Sequence, residues 1–153
     1  MDETYIKVNG AWVYLYRAVD SLGNTIEFLL RKHRDAIAAK AFFWKVFKNN
    51  GIPDKVNIDK SGSNTCTLNS FNERLSKGQK IEIRQNKYLN NIIEQDHRLI
   101  KKRTKPMLGF KSFRCAKITI AGIENIHIIQ KGQIIGSNDK VSTFENFKML
   151  MAA

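Results

Sequence analysis

The chain has 153 residues, 42% of them hydrophobic, and carries 26 Lys and Arg against 14 Asp and Glu, a net charge of +12. That length suits one domain with an ordinary core, and the charge favours a polyanionic partner, because neutralised phosphates release counterions on binding. No apolar run approaches membrane-spanning length and no signal-like stretch opens the chain. Two widely spaced cysteines make no metal-ligand pattern, so a cytosolic protein with Cys66 and Cys115 as buried free thiols is expected.

Residues 2–31 read as three antiparallel strands. Asn9-Gly10 fits a type I′ hairpin turn, in which both central residues need positive φ. Thr4, Ile6 and Val8 alternate with Glu3, Tyr5 and Lys7, and residues 11–19 are rich in aromatic and β-branched types. Trp12 and Trp44 are assigned to the core. Asp20–Asn24 turns the chain into the strand Thr25–Leu30. Asp35 is placed to cap a helix with the apolar stripe Ala36, Ala39, Phe43, Val46 and Phe47, and Asn49-Asn50-Gly51 followed by Pro53 ends it.

Val56 and Ile58 form a short buried strand that carries Asp59 at its carboxyl end. A loop over 60–63, a helix over about Asn64–Ser76 with Leu68, Phe71 and Leu75 inward, and a strand over Lys80–Arg84 follow. The stretch Lys87–Lys101 predicts a helix with Leu89, Ile92, Ile93 and Ile100 on one face. Lys87, Asn90, Asn91, Glu94, Arg98 and Lys101 occupy the other. Pro106 and Gly109 break the chain. Ser112 caps a final helix to about Lys131, with a strand at Ile118–Ile120 as the alternative. Residues 132–153 show weak periodicity. The order βββ-α-β-α-β-α predicts an α/β domain, a mixed sheet with helices on both faces.

Among the acids, Asp2 opens the first strand, Asp59 ends the short apolar run, and Glu94 lies on a polar helix face, with 34 residues between the last two. A lone Glu among cations is ordinarily a surface ion pair. Asp96 turns toward the apolar face, where a buried cation or hydroxyl must pair it. Glu3 alternates to the strand face opposite Asp2, and Asp20 ends the second strand. From Arg98 to Ile123 there are eight basic residues and no acid.

Two strand-borne aspartates and a helix-borne glutamate at this spacing resemble the DDE catalytic domain of bacterial insertion-sequence transposases, kin to retroviral integrases. The blocks Asp2–Gly10, Tyr14–Asp20, Asn90–Arg98 and Arg103–Phe113 look like signature segments of one compact insertion-sequence family, and the likeness runs from residue 2 to about 131. It implies an RNase H-like fold, a catalytic domain over 1–131 and an uncertain C-terminal tail over 132–153. It also implies that Asp2, Asp59 and Glu94 are the catalytic residues and hold two Mg²⁺ ions, with Mn²⁺ able to substitute. Carboxylates suit such hard cations, and paired ions suit in-line phosphoryl transfer.

The activity implied is DNA strand cleavage and strand transfer, by a homo-oligomer acting on transposon ends and target DNA in the bacterial cytoplasm, at the nucleoid. By the same resemblance Lys101 contacts DNA near the scissile phosphate, and Arg98 shares its face. Lys102, Arg103, Lys105, Lys111 and Arg114 are expected on backbone phosphates without reading sequence, and His97 in a structural role. Transposases of this kind carry an N-terminal helical DNA-binding region. A single residue precedes Asp2 here, so that region is expected to be missing, which bears on recognition of transposon ends and not on metal chemistry. Two other classes stay open: an RNase H-like nuclease without strand transfer, and a non-catalytic DNA-binding remnant.

Overall fold

The structure, a computed structural model, describes residues 1–59, 62–86, 91–134 and 142–151. Strands β1 (Asp2–Val8), β2 (Ala11–Val19) and β3 (Thr25–Arg31) form an antiparallel sheet in that spatial order. The β1–β2 turn has φ of 47° at Asn9 and 79° at Gly10, as the type I′ geometry demands. Its register sets Asp2 opposite Arg17 and Glu3 opposite Tyr16.

Successive side chains of a strand point to opposite faces, and each face of this sheet is covered by helices. Tyr16, Ala18 and Ile58 pack with Phe42 and Phe43 of α1 (Ala36–Asn50) and Leu68 of α2 (Gly62–Asn72). Ile6, Val13 and Leu15 pack with Ile100 of α3 (Asn91–Thr104) and Ile120 of α4 (Phe113–Gln130). A second ladder pairs β4 (Lys55–Asn57) parallel to β5 (Glu82–Arg84). Among the described residues the expected mixed sheet is therefore two ladders. The Met1 amino group, just before β1, links them by donating to Asn57 O at 2.8 Å.

Helix α1 starts where the sequence places it, with Ala38 N donating to Asp35 Oδ1 at 2.7 Å. Asp35→Ala is expected to destabilise the domain by about 1 kcal/mol. A lower urea midpoint at unchanged m-value checks this, and an unmoved midpoint would mean the cap contributes nothing. Helix α2 ends at Asn72 rather than Ser76, and there the Asn72 side-chain amide accepts from Ile81 N (2.8 Å) and donates to Ile81 O (2.9 Å), tying the helix end to the buried Ile81. Residues 118–120 are helical despite their β-branched character: Ser112 caps α4 by accepting from Cys115 N, and Ala116 and Ile120 fill the core.

Some positions differ from expectation. Trp12 and Trp44 are 60% and 56% exposed, not core. Trp12 sits just past the hairpin tip, and Trp44 falls on the solvent side of α1, where Lys48 covers its ring. Cys66 and Cys115 are both exposed, one on the outer face of α2 and one in the first turn of α4. Ile92 is exposed beside buried Ile93. Lys60, Ser61, Lys87 and Leu89 lie outside the described residues, and Gly62 and Ser63 already belong to α2. A further helix, α5 (Thr143–Met151), occupies part of the weakly periodic tail. No described helix is long and apolar enough to cross a membrane.

Candidate metal centre and basic helix

The start of β1 and the end of β4 lie side by side, and this brings acids together. Carboxylate oxygens of Asp2, Glu3 and Asp59 all lie within 4.8 Å of one another. Glu3 was expected on the far face of its strand. The register keeps Asp2 and Glu3 on opposite faces of β1, yet a carboxylate oxygen of each comes within 4.8 Å of Asp59 and of the other. Glu3 is engaged by cationic and amide donors: Arg34 Nε at 2.6 Å and Asn64 Nδ2 at 3.2 Å. Burial pushes the Glu3 carboxyl up and Arg34 opposes it. Arg34 Nη2 also reaches Asp59 Oδ2 at 3.4 Å, bridging the two acids.

Asp20, the other rival, is a turn residue. It accepts from Leu22 N and Asn24 N, each at 2.8 Å. Burial acts to raise its carboxyl, but the hydrogen bonds from Asn24 and Leu22 prevail and hold it below the usual range.

Helix α3 passes beside Asp2. His97 is buried, its Nε2 lies 3.4 Å from Asp2 Oδ2, and neither ring nitrogen makes a hydrogen bond among the described residues. Glu94 is one turn earlier on the same helix, exposed, and outside the Asp2–Glu3–Asp59 group. Of the three acids named from the sequence, then, the structure gathers Asp2 and Asp59 and leaves Glu94 at the solvent side of the helix that abuts Asp2. Arg98, Lys101, Lys102, Arg103, Lys105, Lys111 and Arg114 are all exposed, as phosphate contacts require.

The partner of Asp96 is Arg17, a residue that sequence reasoning passed over. Arg17 is fully buried, and its Nη2 donates to Asp96 Oδ2 and Glu124 Oε2, both at 3.0 Å. Its Nε stands 2.6 Å from Glu124 Oε1 but off the donor axis, an ionic contact rather than an aligned hydrogen bond. Lys131 completes the cluster, donating to Asp96 Oδ2 at 2.8 Å and to Gly23 O at 2.6 Å. Burial pulls the His127 imidazole down, helped by Lys131, while Asp96, 3.7 Å away, opposes the shift. The signal available was an arginine inside an otherwise apolar central strand, paired in prospect with an inward aspartate.

The donor set is made of hard carboxylate oxygens, partly buried and reached from solvent, and it fits a hard divalent cation.

A family model described as a DDE domain matches residues 1–133. The chain is 42% identical over 134 residues to the transposase for insertion sequence-like element IS431mec of Staphylococcus aureus (strain Mu50), a match that covers 86% of this chain and 57% of the relative. It is equally similar, with the same coverage, to the Staphylococcus aureus transposase for insertion sequence element IS257 in transposon Tn4003. The chain thus spans somewhat over half the length of these relatives. A cryoEM structure of the simian T-cell lymphotropic virus intasome in complex with PP2A regulatory subunit B56 gamma contains a chain of similar fold. The TM-score is 0.51 at 16% identity, covering 66% of this chain and 37% of that one.

Proposed function

We propose that this chain, which belongs to the DDE domain family, is the catalytic domain of an insertion-sequence transposase and cleaves and joins DNA strands. The observation that carries the reading is the convergence of Asp2 and Asp59 beside α3. Asp2, Asp59 and Glu94 serve as the ligands of two divalent ions, Mg²⁺ with Mn²⁺ as a substitute. Such ions, when bound, activate the attacking oxygen and stabilise the leaving one.

The protein's own groups do the rest. Asp2 opens β1 and Asp59 follows β4, and the hydrogen bond from the Met1 amino group to Asn57 O holds these two chain segments together. His97 lies against Asp2, while Arg34 and Asn64 engage Glu3, and Arg34 links it to Asp59. Arg98, Lys101, Lys102, Arg103, Lys105, Lys111 and Arg114 hold the DNA backbone, positioning it without reading bases. Residues 1–131 form the catalytic unit, which works as a homo-oligomer on transposon ends and target DNA in the bacterial cytoplasm.

Two measurements test this. Mn²⁺ should raise the melting temperature of the chain, and Asp59→Asn should remove that rise, since a ligand that binds only the folded state stabilises it. Labelled duplex DNA incubated with Mg²⁺ or Mn²⁺ should give nicked and rejoined products. Hydrolysed ends alone would indicate a nuclease of the same fold, and a folded chain without metal response or cleavage would overturn the catalytic reading. DNA affinity should also fall roughly a hundredfold or more between low and moderate salt, as expected for several phosphate contacts. A flat salt dependence would remove the basic residues from that role.

A further inference from the structure

A groove of about 470 Å³ lies along the edge of β1 near the hairpin tip, away from the acid cluster. Tyr5 and Trp12 form its wall, 53% and 60% exposed, with ring centroids 6.2 Å apart and edge to face. Two neighbouring aromatics so open to solvent are costly unless something covers them. Lys7 Nζ is 6.0 Å from the Trp12 ring centroid, and Lys101 and Lys105 line the opposite side. None of the described lining residues is acidic.

Leu108 stands at the rim, 91% exposed and in the left-handed conformation with φ of 54°, uncommon for a leucine. The chain holds it there deliberately. Phe110 N donates to Lys7 O at 2.9 Å and Asn9 N to Phe110 O at 2.6 Å, tying the following residues to β1. Gly109 has φ of 101°, a conformation strained for any residue with a side chain, and a Cβ there would come within a tight 3.2 Å of Lys7 O, so glycine suits this approach.

We propose that this groove receives an unpaired nucleobase of single-stranded DNA, stacked on the Tyr5–Trp12 wall, with flanking phosphates on Lys101 and Lys105 and Leu108 as an apolar wedge. The inference rests on the DNA-acting reading above and adds the form of the DNA. Aromatic faces accept any base, and ammonium groups around them complement the strand that carries it. An apolar wedge beside a stacking surface is the pairing that parts one base from the next. A greasy peptide would gain nothing from the three ammonium groups, and charge complementarity therefore selects the nucleotide.

Trp12 and Trp44 are the only tryptophans, which makes the test direct. In a Trp44→Phe background, a short oligothymidylate should quench Trp12 emission saturably. By anisotropy, Trp12→Ala should weaken oligothymidylate binding about tenfold while changing affinity for a fully paired duplex of equal length by less than about twofold. Trp12→Phe, which keeps a ring, should retain most of the affinity. The urea midpoint of each variant confirms that it is folded. Oligothymidylate that binds without quenching, or an equal loss for single strand and duplex in Trp12→Ala, overturns the proposal. So does a dimer seen by sedimentation without DNA and broken by Trp12→Ala, which would assign the groove to a second copy. Failure of the parent chain to bind either DNA sinks the DNA-acting reading itself, and this one with it.

Discussion

Glu94→Gln is expected to lower metal-dependent strand cleavage roughly a thousandfold or more, because a metal-holding carboxylate supplies several kcal/mol of transition-state stabilisation. Gln keeps the shape of the side chain and removes the charge that binds a divalent ion. DNA affinity should persist or rise, since one source of repulsion toward phosphate is gone. Two controls on neighbouring acids make the result specific. Glu3→Gln removes a carboxylate that Arg34 and Asn64 already engage, so it should alter stability and the Arg34 contact more than cleavage. Asp96→Asn breaks the link to Arg17 and Lys131 and should lower the melting temperature more than the metal response. The measurement is single-turnover cleavage against Mn²⁺ concentration. Should Glu3→Gln abolish cleavage and Glu94→Gln leave it intact, the third ligand is the strand residue that the structure already places beside Asp2 and Asp59.

The parts of this molecule that were legible from its residues are those governed by local chemistry. Asn9-Gly10 reads as a hairpin because few residue pairs tolerate two positive φ values, and Asp35 reads as a cap because an aspartate precedes an apolar helical stripe. Asp96 reads as an inward acid from helical period alone. Its partner does not, because Arg17 and Asp96 are far apart in the chain and meet only once α3 is laid on the sheet. Glu3 does alternate to the face opposite Asp2, as read, but alternation alone does not reveal that its carboxylate comes within 4.8 Å of Asp2 and Asp59, a closeness set by where the Asp59 segment lies in the fold. The exposure of Trp12, just past the hairpin tip, was not legible, because an aromatic residue in a strand reads as core whether or not a helix covers that end of the sheet. Helix α5 was within reach, since Ser142 and Glu145 form a capping box, with Glu145 N donating to Ser142 Oγ at 3.2 Å and Ser142 N to Glu145 Oε2 at 3.0 Å.

Arg17→Met should destabilise the domain by about 3–5 kcal/mol, since removing one partner of a buried ion pair leaves the other charge without compensation. Arg17 has no solvent exposure, and neither does Glu124, which would keep its carboxylate in an apolar setting with its main cationic contact gone. Asp96 retains Lys131, so the loss falls mostly on Glu124. For a chain of this size the melting temperature should drop on the order of 10 °C. Arg17→Lys should recover only part of it, because a single ammonium cannot span Asp96 and Glu124 as the guanidinium fork does. The double variant Arg17→Met with Glu124→Leu should recover most of the stability, as replacing a whole buried pair by apolar residues is often neutral or better. The cluster ties β2 to α3 and α4, and α3 carries Glu94 and His97. Arg17→Met protein held folded at low temperature should therefore also cleave less well at saturating metal, whereas Asp35→Ala, which loosens α1 on the other face, should not. A melting temperature for Arg17→Met within a few degrees of the parent would show that the buried cluster is not what holds α3 and α4 to the sheet.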